Sequence, residues 1–212
     1  MRIEDYKDDD EMVLWKGKPN KAVYIKERIF TPLALFALIW LLFESVFVMT
    51  AFSMPNNTFQ FIIIPFMAFH LMPVWLYIGS IIFSVKSWSN TNYMVTDRAV
   101  YITSGVFTTN CNRKTFQEIT NVSVHQGIID KTHNVGDVYI TTGQVTYSNG
   151  RIRTIGINII DIDDYMKVYK IISKTSRDIY SDTMYPNDLR PEENHGYKTK
   201  YVNDYNDEKD KF

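Results

Sequence analysis

Residues 29–85 read IFTPLALFALIWLLFESVFVMTAF, then SMPNNT, then FQFIIIPFMAFHLMPVWLYIGSIIFSV. The first run carries one charge, Glu44. The last carries none, with Gln60 and His70 as its strongly polar interruptions. At the helical rise per residue, a run of about 24 residues reaches about 36 Å, enough to cross a hydrocarbon layer of about 30 Å with some tilt. Burying two such runs inside a soluble protein takes far more chain than the 212 residues present. The stretch therefore predicts a membrane hairpin over residues 29–85, with a short uncharged turn at 53–58.

The flanks supply its orientation. Residues 1–10 are acidic and read as a solvated end. Residues 11–28 turn basic, with Lys16, Lys18, Lys21, Lys26 and Arg28 around Trp15 and Tyr24. This is the composition of a juxtamembrane segment, cations at headgroup level and aromatics at the interface. Trp15, Lys16 and Lys18 before the hairpin, and Lys86 and Trp88 after it, are the expected interfacial anchors. The positive flanks put both termini in the cytoplasm and the turn outside. No cleavable leader is expected, because the first apolar run is too long for a signal h-region.

Pro65 and Pro73 interrupt the second run, and each predicts a kink because each removes a backbone donor. Glu44 lies about 12 Å and His70 about 16 Å from the outer end, less than one helical turn apart in depth. Ionisable groups so deep are costly and tend to face a partner, so Glu44 and His70 either pair with each other, or Glu44 pairs with a protomer's polar group, or both sit uncharged with no role.

From Asn90 the period shortens to two. Residues 91–96, 99–104, 121–125 and 137–142 read as strands, and Asn149-Gly150 marks a hairpin whose returning strand is 151–158. The face of that strand switches before Ile155, which predicts a bulge or bend there. Residues 161–179 read as an amphipathic helix, capped by Asp161 and Asp164, with Ile162, Tyr165, Met166, Tyr169 and Ile172 as its apolar stripe. Residues 181–212, rich in Asn, Asp, Lys and Tyr, read as a disordered charged tail.

No Gly-rich phosphate loop, HExxH, CxxC or nucleophile elbow is present, so no enzyme and no cofactor is expected. Cys111, His125, Asp130 and His133 match no metal-site spacing, and no metal is expected. The net charge of −1 lacks the basic footprint of a nucleic-acid binder. A single cysteine rules out an internal disulfide. Arg98, Arg113, Lys114, Arg151 and Arg153 remain as candidate lipid- or partner-binding cations, with membrane lipids as one partner.

Strands followed by one C-terminal helix is a pleckstrin-homology-like order. Residues 88–98 (WSNTNYMVTDR), 99–107 (AVYITSGVF), 116–124 (FQEITNVSV) and 136–143 (GDVYITTG) resemble the bacterial PH-like domain membrane proteins. In these, a Leu-Trp-x-Gly-x-Pro segment, here residues 14–19, precedes two helices and then the domain. The resemblance implies four parts: a juxtamembrane segment 1–28, a hairpin 29–85, a PH-like domain 88–180 and the tail. The expected fold is a membrane α-hairpin plus α+β, an antiparallel barrel or sandwich capped by a helix. The expected place is a bacterial cell membrane, multi-pass. The expected partner is this chain itself or another PH-like membrane protein. Relatives that look similar are associated with envelope stress and protection against membrane-active bacteriocins. An anionic-lipid-sensing module is the alternative.

Overall fold

The computed structural model describes residues 2–53, 57–148 and 150–184. The chain forms two units, one from Met1–Asn20 joined with the chain from Asn90 onward, the other Lys21–Ser89. The first unit holds two antiparallel sheets. One runs β1 (Val13–Gly17), β2 (Asn92–Thr96), β3 (Ala99–Ser104), β4 (Asn110–Thr115), and the other β5 (Ile119–His125), β6 (Gly136–Ser148), β7 (Arg151–Ile162). The second unit is helical, with α1 (Lys21–Ile29), α2 (Pro32–Ser53), α3 (Asn57–His70) and α4 (Met72–Asn90). A short α5 (Ile128–His133) joins β5 to β6, and α6 (Tyr165–Met184) follows β7.

The core of the sheet unit joins inward residues of both sheets, among them Val95, Val100, Ile140 and Ile159, to Val168 and Ile172 of α6. The helix starts later than its sequence suggests. Asp161 still lies in β7, in a left-handed conformation at φ 56°. The buried stripe is correspondingly Val168, Ile171, Ile172, Thr175 and Ile179, while Met166 is exposed.

The first 28 residues depart most from expectation. Residues 1–28 are not one juxtamembrane segment, because Val13–Gly17 is the first strand of the sheet and pairs with β2. The helical unit is thus inserted between two neighbouring strands. Trp15 is no interfacial anchor; it packs half-buried against the sheet core. Gly17 makes room for it, since a Cβ there would lie 2.4 Å from the Trp15 ring. That contact is a physical reason for the Trp-x-Gly spacing. Lys16 pairs with Glu4, and Lys18 stands exposed just past the strand.

The acidic end is folded as well. A 3-10 turn, Ile3–Tyr6, lays Ile3 on the outer face of the first sheet against Met94, Ala99 and Tyr101. Glu11 is buried there. It accepts the Tyr101 hydroxyl at 3.0 Å and the Arg113 guanidinium at 2.9 Å. Burial, and then this hydrogen bond to a carboxylate, push the Tyr101 phenol up to about 12.

Strand β4, NCNRKT, escapes pattern reading because it has no apolar alternation. β6 runs through Gly143 rather than ending there, with a register break between Thr141 and Val145 opposite Ile155. Asn149 of the hairpin, residues 54–56 of the inter-helix turn and residues 185–212 of the charged tail lie outside the described residues.

Glu11→Ala strips a buried hydroxyl and a guanidinium of their acceptor and is expected to lower stability by about 2–3 kcal/mol in thermal unfolding. Ionisation of Tyr101 is resisted only in the folded state. Stability should therefore fall as pH rises from the ordinary phenol value of 10.0 toward about 12. Tyr101→Phe should remove that part of the alkaline slope.

Candidate functional site

Two polar features stand out, one in each unit. In the helical unit, Glu44 of α2 is buried, and its Oε1 lies 2.5 Å from Nδ1 of His70 at the end of α3. Phe66 stacks on the imidazole, and Trp40, one turn before Glu44, covers it at 5.2 Å. The Trp40 indole donates to the His70 carbonyl at 2.9 Å. This carbonyl has lost its ladder partner: the helix breaks at Leu71, and the Val74 N–H donates to Leu71 instead. The break sits two residues before Pro73, which has no N–H for Phe69. The Trp75 indole takes up the Ala68 carbonyl at 3.0 Å in the same way. Pro65, by contrast, lies inside a continuous α3. The second apolar run is therefore two helices, not one kinked one.

At its polar end the unit gathers Lys21, whose ammonium lies 5.0 Å over the Trp88 ring, and exposed Lys86. Tyr24 shares a hydrogen bond with Ser87 at 3.1 Å, and Tyr77 donates to the Ile29 carbonyl at 3.1 Å. These tie α1 along α4.

In the sheet unit, the candidate cations do not converge. Arg98 is paired with Asp10 at 2.5 Å, and that contact holds the Asp10 carboxyl below its usual range. Arg113 is held by Glu11 and, at 3.4 Å, by Asp8. Lys114 lies 3.5 Å from Glu118. Arg151 and Arg153 stand exposed on the β6–β7 hairpin. Sequence reading missed Asp8, Asp10 and Glu11 as their partners. The one available signal was an acidic run upstream of an otherwise unbalanced set of arginines.

Within the sheet unit, the set His125, Asp130 and Asp137 brings its donor atoms within 4.8 Å of one another. Cys111 and His133 are not part of it. Cys111 packs beside Met94 and Tyr101, where burial pushes its thiol up, and His133 bonds back to Ile129 of its own helix. A closed tetrahedral site needs a fourth donor. The described contacts of the set are structural. Asp130 accepts the Gly127 N–H at 2.7 Å, and Asp137 accepts the Asp161 N–H at 2.9 Å, pinning the left-handed residue. Burial raises the Asp137 pKa, and the charge of Asp130 adds to it.

A groove of 630 Å³ runs between the outer edge of β5 and α6, lined by Ile119, Asn121, Val122, Tyr169, Ser173 and Arg177 among others. β5 is an edge strand of its sheet, so its backbone is open to strand addition.

Two sheets of four and three strands with a helix after the last strand give the architecture, and residues 29–176, more than half of the chain, match the family model described as bacterial PH domain. The chain belongs to the bacterial PH domain family. No curated protein and no solved structure matches it. The match marks the sheet unit as a lipid- or protein-interaction module. It begins after β1, so the bacterial PH domain here completes its first sheet with a strand from outside the matched interval. Within the match, Pro32–Thr50 is long and apolar enough to cross a membrane. Ile63–His70 and Met72–Asn90, bent by 51° at their junction, pass the same test together.

Removing one member of the buried Glu44–His70 bond, as in Glu44→Leu, should cost about 1–3 kcal/mol of stability in detergent. Glu44→Leu with His70→Phe should recover much of it, giving a coupling energy in a double-mutant thermal cycle. In the PH domain, Asp137→Asn keeps the oxygen that accepts the Asp161 N–H and deletes the resisted charge. Because the folded-state pKa of Asp137 is raised, the cost of its ionisation appears as pH rises. The variant should melt above the parent at neutral pH, and the advantage should vanish below about pH 4, where free carboxylates protonate.

Proposed function

We propose that this bacterial PH domain protein is a non-enzymatic integral membrane protein. α2 forms one span, the bent α3–α4 pair forms the second, and both termini lie in the cytoplasm. The PH domain serves as an interaction module at the membrane face, in envelope maintenance or in immunity to membrane-active bacteriocins. The observation that carries the membrane part is the surface of α2. Leu33, Phe36, Leu38, Ile39, Leu41 and Leu42, which at the helical period point around most of the circumference, are all exposed, and only 11% of the candidate span is buried. A core helix of a soluble protein hides such a surface.

Connectivity supports an even number of crossings. β1 and β2 are hydrogen-bonded neighbours, and the helical unit is the excursion between them. An excursion that begins and ends on one sheet edge begins and ends on one side of a bilayer. If α2 crosses outward, α3–α4 must cross back.

Protein contact is favoured over a headgroup pocket. Arg98, Arg113 and Lys114 already have carboxylate partners, while the β5 edge and its groove offer backbone bonds to a partner strand.

The full chain should stay with membranes through alkaline carbonate, and a reporter fused after Phe212 should read as cytoplasmic. A deletion strain should become more sensitive to at least one pore-forming bacteriocin in a panel. Extraction into carbonate would refute the membrane reading, and unchanged sensitivity across the panel would refute the immunity role.

A further inference from the structure

The chain leaves the PH domain after β1 and re-enters it at β2, and the register puts both points at one end of the first sheet. Gly17 faces Tyr93, and Asn92 faces Thr103. Ser104 pairs with Asn110, so the β3–β4 turn, residues 105–109, lies at that end too. The side chain of Asn90, last residue of α4, donates to the Gly105 carbonyl of this turn at 3.0 Å.

The second sheet brings its β5–β6 connection to the same end. Asn20, three residues past β1, donates its N–H to the Asp161 carbonyl at 2.7 Å and its side-chain amide to Asp163 at 3.2 Å. The C-terminal end of β7 therefore sits beside the exit of β1. Gly136, which opens β6, pairs with Ile162 there, and His125, which closes β5, pairs with Asp137. α5 bridges the two.

Each of these connections presents an apolar side chain. Phe107 is 86% exposed and Ile128 is 87% exposed, the two highest values among the exposed large hydrophobic side chains described. Full burial of either side chain would be worth roughly 2 kcal/mol. Single exposed apolar residues are ordinary, but here the two extremes share one end of the domain. Exposed Lys131 follows Ile128 by one helical turn, and the Phe107 turn holds no acid. The opposite end has a different character, with Arg98 in the β2–β3 turn and Arg151 on the β6–β7 hairpin.

We infer that Phe107 and Ile128 form a two-point apolar anchor that seats the PH domain in the boundary between lipid headgroups and acyl chains. The inference rests on the membrane reading of α2–α4. The occupant follows from α4, a continuous helix that ends at Asn90. Trp88 and Lys86, the residue types of a membrane interface, lie two and four residues before that end, so about 3–6 Å along the axis. The turn bonded to Asn90 is therefore only a few residues of chain from the interface. Asp163 and Asp164 are exposed at the same end of the domain, so the attraction is apolar insertion, not headgroup charge, and it persists at high salt.

The test uses the full chain in lipid bilayers, with Cys111→Ser and one new cysteine at a time carrying a nitroxide. Phe107→Cys and Ile128→Cys are the test positions. Leu42→Cys, at the middle of α2, and Ile152→Cys, on the far hairpin, are the references. Collision with oxygen relative to a water-soluble nickel chelate should be highest at 42 and lowest at 152. At 107 and 128 it should exceed the value at 152 several-fold, at 1 M salt as well as at low salt. If 42 reads as lipid while 107 or 128 reads like 152, the two-point anchor is wrong and the membrane reading stands. If 42 itself reads as water, both fall. Both test side chains are more than four-fifths exposed, so their replacement leaves the core intact.

Discussion

The ladder between Val13–Gly17 and Asn92–Thr96 is the constraint on which the rest of the architecture depends. Neighbouring strands lie about 4.8 Å apart, so the long helical excursion must return almost to its starting point. A helix hairpin satisfies that closure with little added cost, since loop entropy grows slowly with length. The ladder also decides which residues count as domain. Without β1, β2 would be an exposed edge strand and Leu14 and Trp15 would leave the core. The interaction module and the helices are therefore not beads on a string. One is inserted into the sequence of the other.

Within the helical unit the governing cost is that of unpaired backbone groups. In hydrocarbon each one costs several kcal/mol. The break at Leu71 frees carbonyls, and two indole N–H groups, Trp40 and Trp75, take up two of them. The same Trp40 covers the imidazole that meets Glu44. The break, the aromatic lining and the buried carboxylate are thus one arrangement. Moving Glu44 by one residue would point it away from the place where α3 ends.

How legible this was depended on the kind of signal. The helices were plain because apolarity sustained over about 20 residues fits little besides a helix in lipid or deep in a large core, and β2, β3 and β5 were plain from alternation. β4 was not, because an edge strand of Asn, Cys, Arg, Lys and Thr shows no apolar alternation. β1 was misread for a deeper reason. Trp and Lys next to a hydrophobic run satisfy the interfacial pattern and the strand pattern equally, and only Asn92–Thr96, more than 70 residues away, decides between them. The acidic end was misread because a run of Asp looks solvated unless its arginine partners are known to lie on the adjacent sheet face. The depth match of Glu44 and His70 was visible by counting. The helix break that brings the imidazole over Glu44 was not, since Pro65 and Pro73 look alike in sequence and only one accompanies a break.

These misreadings bear on what the domain can recognise. Judged from sequence, Arg98, Arg113 and Lys114 are cations in search of an anion. In the folded chain they are neutralised from within, Arg98 and Arg113 by a segment that precedes the first strand. Exposed pairs of this kind contribute little stability, about 0–1 kcal/mol each. Their larger effect is on the surface field. A carboxylate at hydrogen-bond distance cancels most of the potential that an anionic headgroup would meet beyond a Debye length of about 8 Å. Besides Arg151 and Arg153 on the far hairpin, the domain keeps the backbone of β5 and the carbon of two exposed tips, Phe107 and Ile128. The β5 edge and the two tips carry no charge and act only at contact. A domain built this way gains little from long-range steering. On the proposed membrane reading the inserted helices would hold it at the bilayer, so the chain's own connectivity would supply the local concentration that a free lipid-binding domain must obtain from electrostatics.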